Sequence, residues 1–292
     1  MIKKETEILI ARINKWYAYL PKLFINDEKI FNAKYGWSKE RTLFKDRLNL
    51  SYNEIKEGNN WGRKWESAWF ELSIKIPPKW KGKTLATNLD FSGEGLVYDN
   101  DGNEIQGITN GAIWDPNFAR TRVIIDEKLI SNQNLNLWVE AAANSLFGVF
   151  TDPDTKEDSP KKHGWFDAKV EKMRIGIFDV ELWHLYLDVR ILMGLIKHLD
   201  ENSVQRSRII TALSDSINAF RGTEKRSLDA RKCLKDELKK PASASDLSVS
   251  AIGHAHIDTG WLWPVKETIR KCARTFSTQL EIIEKYPDYI FG

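Results

Sequence analysis

Two histidines and an aspartate alternate near the C-terminal end of this sequence, in the stretch SAIGHAHIDTGWLWP at residues 250–264. In an extended strand, residues two apart point to the same side, with Cα atoms about 6.5 Å apart. His254, His256 and Asp258 are therefore predicted to project together where a strand runs into a loop. Imidazole nitrogen and carboxylate oxygen are a common ligand set for zinc and similar divalent metals. The pattern favours a metal site over histidines that merely satisfy backbone groups in a core.

Two tryptophans, Trp261 and Trp263, follow this cluster. Flat rings suit the C–H faces of sugars, although the same rings could pack the loop against the core. The cluster alone does not name a reaction. A His-x-His pair at the end of a first barrel strand also occurs in amidohydrolase-type metal hydrolases. A metallo-β-lactamase would need another histidine where Thr259 stands.

Composition and charge narrow the class of protein. The 292 residues are 42% hydrophobic and 29% charged, as in a soluble globular protein. This length predicts two units, or one unit and part of another. A net charge of +3, from 44 basic and 41 acidic residues, is too small and too evenly spread for a nucleic-acid partner.

The N-terminus and the cysteines predict a cytoplasmic location. Charged residues such as Glu5, Glu7 and Arg12 interrupt the region where a signal peptide needs an apolar run, and no segment reaches the ~20 apolar residues of a membrane span. No membrane partner is expected. Cys233 and Cys272 are read as free thiols in a reducing compartment.

Hydrophobic periodicity predicts an α+β, multidomain chain. Apolar residues recur at helical spacing in three segments. Between the first segment and the other two, apolar and polar residues alternate, most clearly in AWFELSIKI (68–76). The predicted architecture is an N-terminal helix, an antiparallel β-sandwich, a helical connector, and the first strand and helix of a truncated α/β barrel. The predicted boundaries are 1–39 for the helical segment, 40–180 for the sandwich, 181–240 for the connector, 241–246 for a linker and 247–292 for the start of the barrel domain.

The last forty residues, GHAHIDTGWLWPVKETIRKCARTFSTQLEIIEKYPDYIFG, closely resemble the opening of the catalytic domain of family 38 glycoside hydrolases, the α-mannosidases, in their bacterial and cytosolic or vacuolar branch. Earlier stretches resemble the N-terminal region of the same proteins, among them AWFELSIKIPPKWKGK (68–83), LWVEAAANSLFG (137–148) and IGIFDVELWHLYLDV (175–189). The resemblance spans essentially the whole chain and implies the N-terminal part of such an enzyme.

This resemblance implies a role for three residues. His256 and Asp258 correspond to two of the four protein ligands of a catalytic zinc, and Trp261 corresponds to the tryptophan that lines the subsite for the cleaved mannose. His254 receives no role beyond supporting the ligand pair. The implied substrates of the parent enzyme are α-linked mannosides, and a homo-oligomer is left open, with the N-terminal helix either an interface element or packed on its own sandwich.

No catalytic residue is assigned within the chain. A retaining glycosidase needs one carboxylate that attacks and another that protonates the leaving oxygen, and the family places both beyond this sequence. Two ligands of four should hold zinc weakly, so the isolated chain is expected to be inactive. Two other hypotheses stay open: a non-catalytic β-sandwich module for glycan binding or assembly, and a metal-dependent amidohydrolase, which would place the cluster near the N-terminus of the chain.

Overall fold

The computed structural model of this chain describes residues 3–111, 119–144, 167–220, 226–240, 248–261 and 263–292. It divides into two compact units. Unit 1 comprises Met1–Asp27 and Ile177–Val249, and unit 2 comprises Glu28–Gly176 and Ser250–Gly292. The linker predicted at 241–246 lies outside the described residues.

Unit 1 is helical. Its helices are α1 (Lys3–Tyr19), α2 (Val180–His198), α3 (Val204–Phe220) and α4 (Ser227–Leu238). Helix α2 begins where the Asp179 carboxylate accepts the backbone N–H of Leu182 at 2.8 Å, an ordinary N-cap. The buried residues of α2 recur every three or four positions, as the sequence predicted: Leu182, Leu185, Val189, Leu192, Met193 and Ile196.

Helix α1 packs on the helices of its own unit. Tyr17 stacks on Tyr186 of α2 with ring centroids 4.6 Å apart, and Trp16 meets the edge of Phe220 of α3 at 5.7 Å. The sequence reading that placed this helix on the sandwich did not foresee these partners. In the part of the chain that the structure describes, no helix combines the length and the apolar character needed to cross a bilayer.

Unit 2 is built on antiparallel sheets, which confirms the sandwich class in its coarse form. The larger sheet runs β3-β2-β5-β11-β7-β8, with β10 paired to β11, and the smaller runs β1-β13-β6-β9. Strands β12 and β4 form a separate pair. The bounds are β1 Ile25–Ile30, β2 Asn32–Ser38, β3 Tyr52–Glu54, β4 Asn60–Arg63, β5 Ser67–Lys75, β6 Leu85–Asp90, β7 Glu94–Tyr98, β8 Glu104–Thr109, β9 Ile124–Ile125, β10 Ile130–Ser131, β11 Asn134–Ala142, β12 Asp167–Lys169 and β13 Lys172–Phe178.

Both faces of the larger sheet are covered. On one face, Phe70 of β5 is fully buried against Phe91, with ring centroids 4.3 Å apart. On the other face, Trp69 and Trp138 lie in a buried cluster with Leu96 and Tyr98. The last helix, α5 (Val265–Lys285), packs on this second face over β7 and β8. The sheet therefore serves as the platform on which the C-terminal segment is fixed.

Two sequence expectations differ from the structure. Strands β1 and β2 lie within residues 1–39, where only helix was predicted. INDEKI has no apolar alternation, and in NAKYGWS the alternation is short, limited to Ala33, Tyr35 and Trp37. The described residues 248–252, at the start of the segment 247–292 where the first strand of the truncated barrel was expected, form no strand. Val249 and Ile252 are 87% and 61% exposed, so this segment has neither a pairing strand nor a buried face to hold it extended.

Candidate functional site

The loop that carries the two histidines is anchored where it begins. The backbone N–H of Gly253 donates to the carbonyl of Ile290 at 2.7 Å, and the N–H of Gly292 donates to the carbonyl of Gly253 at 3.0 Å. These bonds form an isolated parallel bridge between Gly253 and Phe291. A Cβ at position 253 would lie 2.1 Å from the Tyr289 hydroxyl oxygen, so any larger residue there would displace the Tyr289 side chain.

Beyond this anchor, the structure places His256 and Asp258 side by side. His256 Nε2 lies 3.0 Å from Asp258 Oδ1, and their side chains are 76% and 40% exposed. Two ligands of a tetrahedral zinc, each about 2.1 Å from the metal, are about 3.4 Å apart. The two donor atoms therefore fit two neighbouring positions of such a site once the distance between them widens by a few tenths of an ångström.

The exposed His254 does not extend this pair into a larger cluster. Within the described ranges, no group of three or more His, Cys, Asp or Glu side chains could hold a metal ion. The structure thus brings together two of the three residues that alternation placed on one side. Because the segment is not a regular strand, the two-residue spacing does not align all three side chains.

The two tryptophans beside the pair have different surroundings. Trp261 is 52% exposed and meets the edge of the Trp263 ring, with centroids 5.5 Å apart. Trp263 is buried, and the ammonium of Lys271 lies 4.3 Å from the centroid of its ring. Trp263 therefore packs the loop against α5, while Trp261 keeps a ring face available to a ligand.

A single hydroxyl on the first turns of α5 holds the turn between Asp258 and Trp263. Thr268 Oγ1 donates to the carbonyl of Asp258 at 3.3 Å and accepts from the Gly260 N–H and the Trp263 Nε1–H, both at 3.2 Å. One donor and two acceptors are the full capacity of a hydroxyl. Gly260 has φ +85°, a left-handed conformation that suits glycine. Thr268 thus fixes the backbone of the candidate ligand Asp258 relative to α5.

We expect Thr268→Val to loosen this turn. The valine keeps the shape of threonine but removes the hydrogen bonds, and a loss of about 1 kcal/mol corresponds to about fivefold faster opening. The measurement is hydrogen exchange of the Trp263 indole N–H by NMR. Thr268→Ser, which retains the hydroxyl, should exchange like the unaltered protein. Equal exchange in all three proteins would show that the hydroxyl does not hold the turn.

Helix α5 is held on the larger sheet by an ion-pair layer, defined as Glu94, Glu140, Glu267, Arg270, Lys271 and Arg274. Glu94 on β7 lies 2.6 Å from Lys271 Nζ and 3.0 Å from Arg274 Nη2. Glu140 on β11 lies 3.4 Å from Arg270 Nε. The helix also approaches the β8 backbone closely, since the Gly107 N–H donates to Thr278 Oγ1 at 3.0 Å.

Burial dominates the electrostatics of this layer. It raises the pKa of Glu267 and lowers the pKa values of Arg270 and Lys271, because each charged form loses its hydration. Burial also acts to raise the pKa of Glu94, but the positive charges of Arg274 and Lys271 outweigh it and leave that pKa below its ordinary 4.5. The Glu94 carboxylate is the anion that two cations of α5, Lys271 and Arg274, share.

Sequence reasoning missed both Thr268 and the ion-pair layer. Glu267, Arg270, Lys271 and Arg274 recur at helical spacing, which signals an amphipathic helix. That signal does not tell which face is covered, and the apolar face is the usual choice. The partners on β7 and β11 lie more than 120 residues away along the chain, as in the Lys271–Glu94 pair at 177 residues. Such pairings become visible only when the sheet is assembled.

Comparison with known proteins gives matches over both parts of unit 2. A family model described as "Alpha-mannosidase, jelly roll domain" matches residues 31–170. A second model, described as "Glycosyl hydrolases family 38 N-terminal domain", matches residues 246–292, which contain the candidate pair.

Curated relatives match across most of the chain. This chain is 28% identical to Alpha-mannosidase 2C1 of Mus musculus over 87% of the chain, and 28% identical to Alpha-mannosidase G of Dictyostelium discoideum over 99% of the chain. An Alpha-mannosidase of Saccharomyces cerevisiae is 26% identical over 83%. These alignments cover 24%, 27% and 22% of the respective relatives, so the chain spans about a quarter of their length.

Proposed function

Because the chain carries an α-mannosidase jelly-roll domain and part of a family 38 glycosyl hydrolase N-terminal domain, we propose that it supplies the first two metal ligands of a retaining α-mannosidase. In this proposal the ligands are His256 and Asp258, and α-linked mannosides are the substrates of the parent enzyme. The observation that carries the proposal is the 3.0 Å approach of His256 Nε2 to Asp258 Oδ1 on an exposed loop.

Each side chain of the loop has a distinct task in this proposal. The neutral imidazole of His256 and the carboxylate of Asp258 would hold the metal, with zinc the best fit to this donor pair. Bound there, the metal would orient the sugar hydroxyls and favour the distorted ring of an oxocarbenium-like transition state. Trp261 offers its exposed ring face to the mannose, and Thr268 holds the turn that separates Asp258 from Trp261.

The chemical step itself is assigned to residues outside this chain. A retaining mechanism requires a nucleophilic carboxylate and an acid/base carboxylate about 5 Å apart across the scissile bond. We assign neither to a residue of this chain. The loop and α5 are proposed as the opening segment of the α/β barrel that carries those groups. The free thiols of Cys233 and Cys272 support a cytoplasmic location for the enzyme.

The isolated chain should bind zinc weakly through this pair. Complete four-ligand zinc sites contribute about 10–16 kcal/mol, so half a site gives about 5–8 kcal/mol, or a Kd of about 0.2 mM at its weaker end. Zinc titration followed by imidazole nitrogen chemical shifts should move the His256 resonances. Both His256→Ala and Asp258→Ala should abolish the response, while His198→Ala, which removes an exposed histidine of α2, should leave it intact. Zinc binding that is unchanged in Asp258→Ala would contradict the paired site.

A further inference from the structure

Helix α5 is amphipathic, and it is docked on the larger sheet by its charged side. The side chains of α5 that are buried belong to Glu267, Arg270, Lys271, Arg274 and Ser277. At about 100° per residue, these five lie on one side of the helix. The sheet therefore covers the charged side of α5, whose residues form the ion-pair layer, and leaves the opposite side of the helix facing outwards.

The outward side of α5 is an apolar stripe, defined as Val265, Ile269, Phe276, Leu280 and Ile283. These five side chains are 43–61% exposed and fall within a sector of about 60°. The stripe runs most of the length of a 21-residue helix, about 32 Å.

This orientation is costly for a helix with a single partner. Burying large aliphatic or aromatic side chains stabilises a fold, whereas buried ion pairs roughly break even against their desolvation. A helix with only the sheet to cover it would therefore turn its apolar side inwards. An exposed apolar stripe of this extent marks an interaction surface.

We infer that the apolar stripe is the docking surface for the remainder of the family 38 N-terminal domain, supplied by polypeptide that follows position 292 in the same chain. This inference rests on the proposed function. The stripe lies inside residues 246–292, which that domain's model matches, and the relatives extend over about four times the aligned length. The expected partner surface is apolar, since the ion pairs of α5 are already formed with β7 and β11.

A second copy of this chain is a poorer occupant. A stable protein–protein interface buries about 800 Å² on each partner. The stripe offers five side chains along one helix, against the roughly 20–30 residues that each partner contributes to such an interface. The stripe alone is too small to hold a dimer, but it is the right size for one helix of a domain packed against its neighbours.

The test compares the 292-residue chain with the longer polypeptide encoded by the same reading frame. Both carry Cys233→Ser and Cys272→Ser, plus a single reporter thiol from Phe276→Cys on the stripe. The matched control is Ile191→Cys on α2, since Ile191 is 60% exposed and Phe276 is 55% exposed. In the 292-residue chain both thiols should react rapidly with a maleimide dye. In the longer polypeptide the Phe276→Cys thiol should react at least about tenfold more slowly, while the Ile191→Cys thiol stays unchanged.

Three results would overturn the inference. One is an unchanged Phe276→Cys labelling rate in the longer polypeptide. Another is protection in the 292-residue chain that grows with its concentration, which would assign the stripe to a second copy. The third is a stop codon directly after Gly292.

An aryl α-mannoside assay on the longer polypeptide separates this inference from the proposed function. Protection of the stripe without turnover would retain the docking surface and reject the mannosidase. Turnover with a freely labelled stripe would retain the mannosidase and reject the docking surface.

Discussion

Replacing Glu94 with alanine should destabilise unit 2 by about 3–5 kcal/mol. The carboxylate of Glu94 lies between Lys271 Nζ and Arg274 Nη2, and it also accepts the Asn144 side-chain amide at 2.6 Å. Lys271 and Arg274 are themselves buried. Removing the anion leaves two buried cations without their shared counter-charge, which costs far more than the pair contributes when intact.

Urea unfolding followed by tryptophan fluorescence measures this loss. All tryptophans except Trp16 and Trp183 belong to unit 2, so the signal reports mainly on that unit. The control is Glu54→Ala, which removes an exposed acid of β3 and should change stability by less than about 0.5 kcal/mol. If Glu94→Ala were as mild as Glu54→Ala, the ion-pair layer would not be what holds α5.

The pH dependence of the Glu94 contribution has a definite sign. The pKa of Glu94 is depressed in the folded protein, so its stabilising effect is fully present above the ordinary pKa of 4.5 and is lost as pH falls below it. The raised pKa of Glu267 changes the stability of the folded protein with pH in the opposite direction. Comparing the protein with Glu94→Gln cancels the effect of burial on Glu267, which is the largest cause of its raised pKa, and leaves only the smaller coupling of Glu267 to the Glu94 charge.

The urea midpoint of the unaltered protein should therefore exceed that of Glu94→Gln at pH 7, and the gap should narrow as the pH falls below 4.5. A gap that stays constant over this range would mean that Glu94 carries no depressed pKa and no charge-dependent role.

The largest functional effect is expected from the metal-ligand pair in the longer polypeptide. His256→Ala or Asp258→Asn should lower kcat/KM on an aryl α-mannoside by at least about 10³-fold, since loss of a supporting outer residue alone typically costs 10–100-fold. The physical reason is that either change removes a donor atom from the proposed metal site. The 292-residue chain, which has no assigned nucleophile, should show no turnover in the same assay.

His198→Ala is the matched control for this prediction, because His198 is an exposed histidine at the C-terminal end of α2. It should retain full activity. Thr268→Val should give an intermediate loss that Thr268→Ser rescues, as expected of a residue that positions Asp258. Full activity in His256→Ala would remove the central assignment of the proposed function.

The sequence predicted the elements whose apolar residues repeat locally. Strand β5 followed from its two-residue alternation, and α2 followed from its helical stripe. Helix α4 was missed because its few buried positions, among them Ala230 and Leu234, are surrounded by charged residues. Strand β1 was missed because its residues carry no apolar alternation, and β2 because its alternation is limited to Ala33, Tyr35 and Trp37.

In the candidate site, too, the sequence indicated what depends on residue type and missed what depends on contacts between distant residues. The residue types in GHAHIDTGWLWP indicated the metal chemistry, and the structure places His256 beside Asp258. The sequence could not show that Thr268 holds the turn, because its hydrogen bonds span eight to ten residues across a loop of irregular backbone. It also could not show that α5 docks by its charged side, which is a property of the assembled sheet.

The most direct test of the central claim is to locate zinc in the longer polypeptide by anomalous X-ray scattering at the zinc edge. The proposal predicts a peak about 2.0–2.2 Å from both His256 Nε2 and an Asp258 carboxylate oxygen. A zinc peak bound elsewhere, with His256 and Asp258 left uncoordinated, would contradict it.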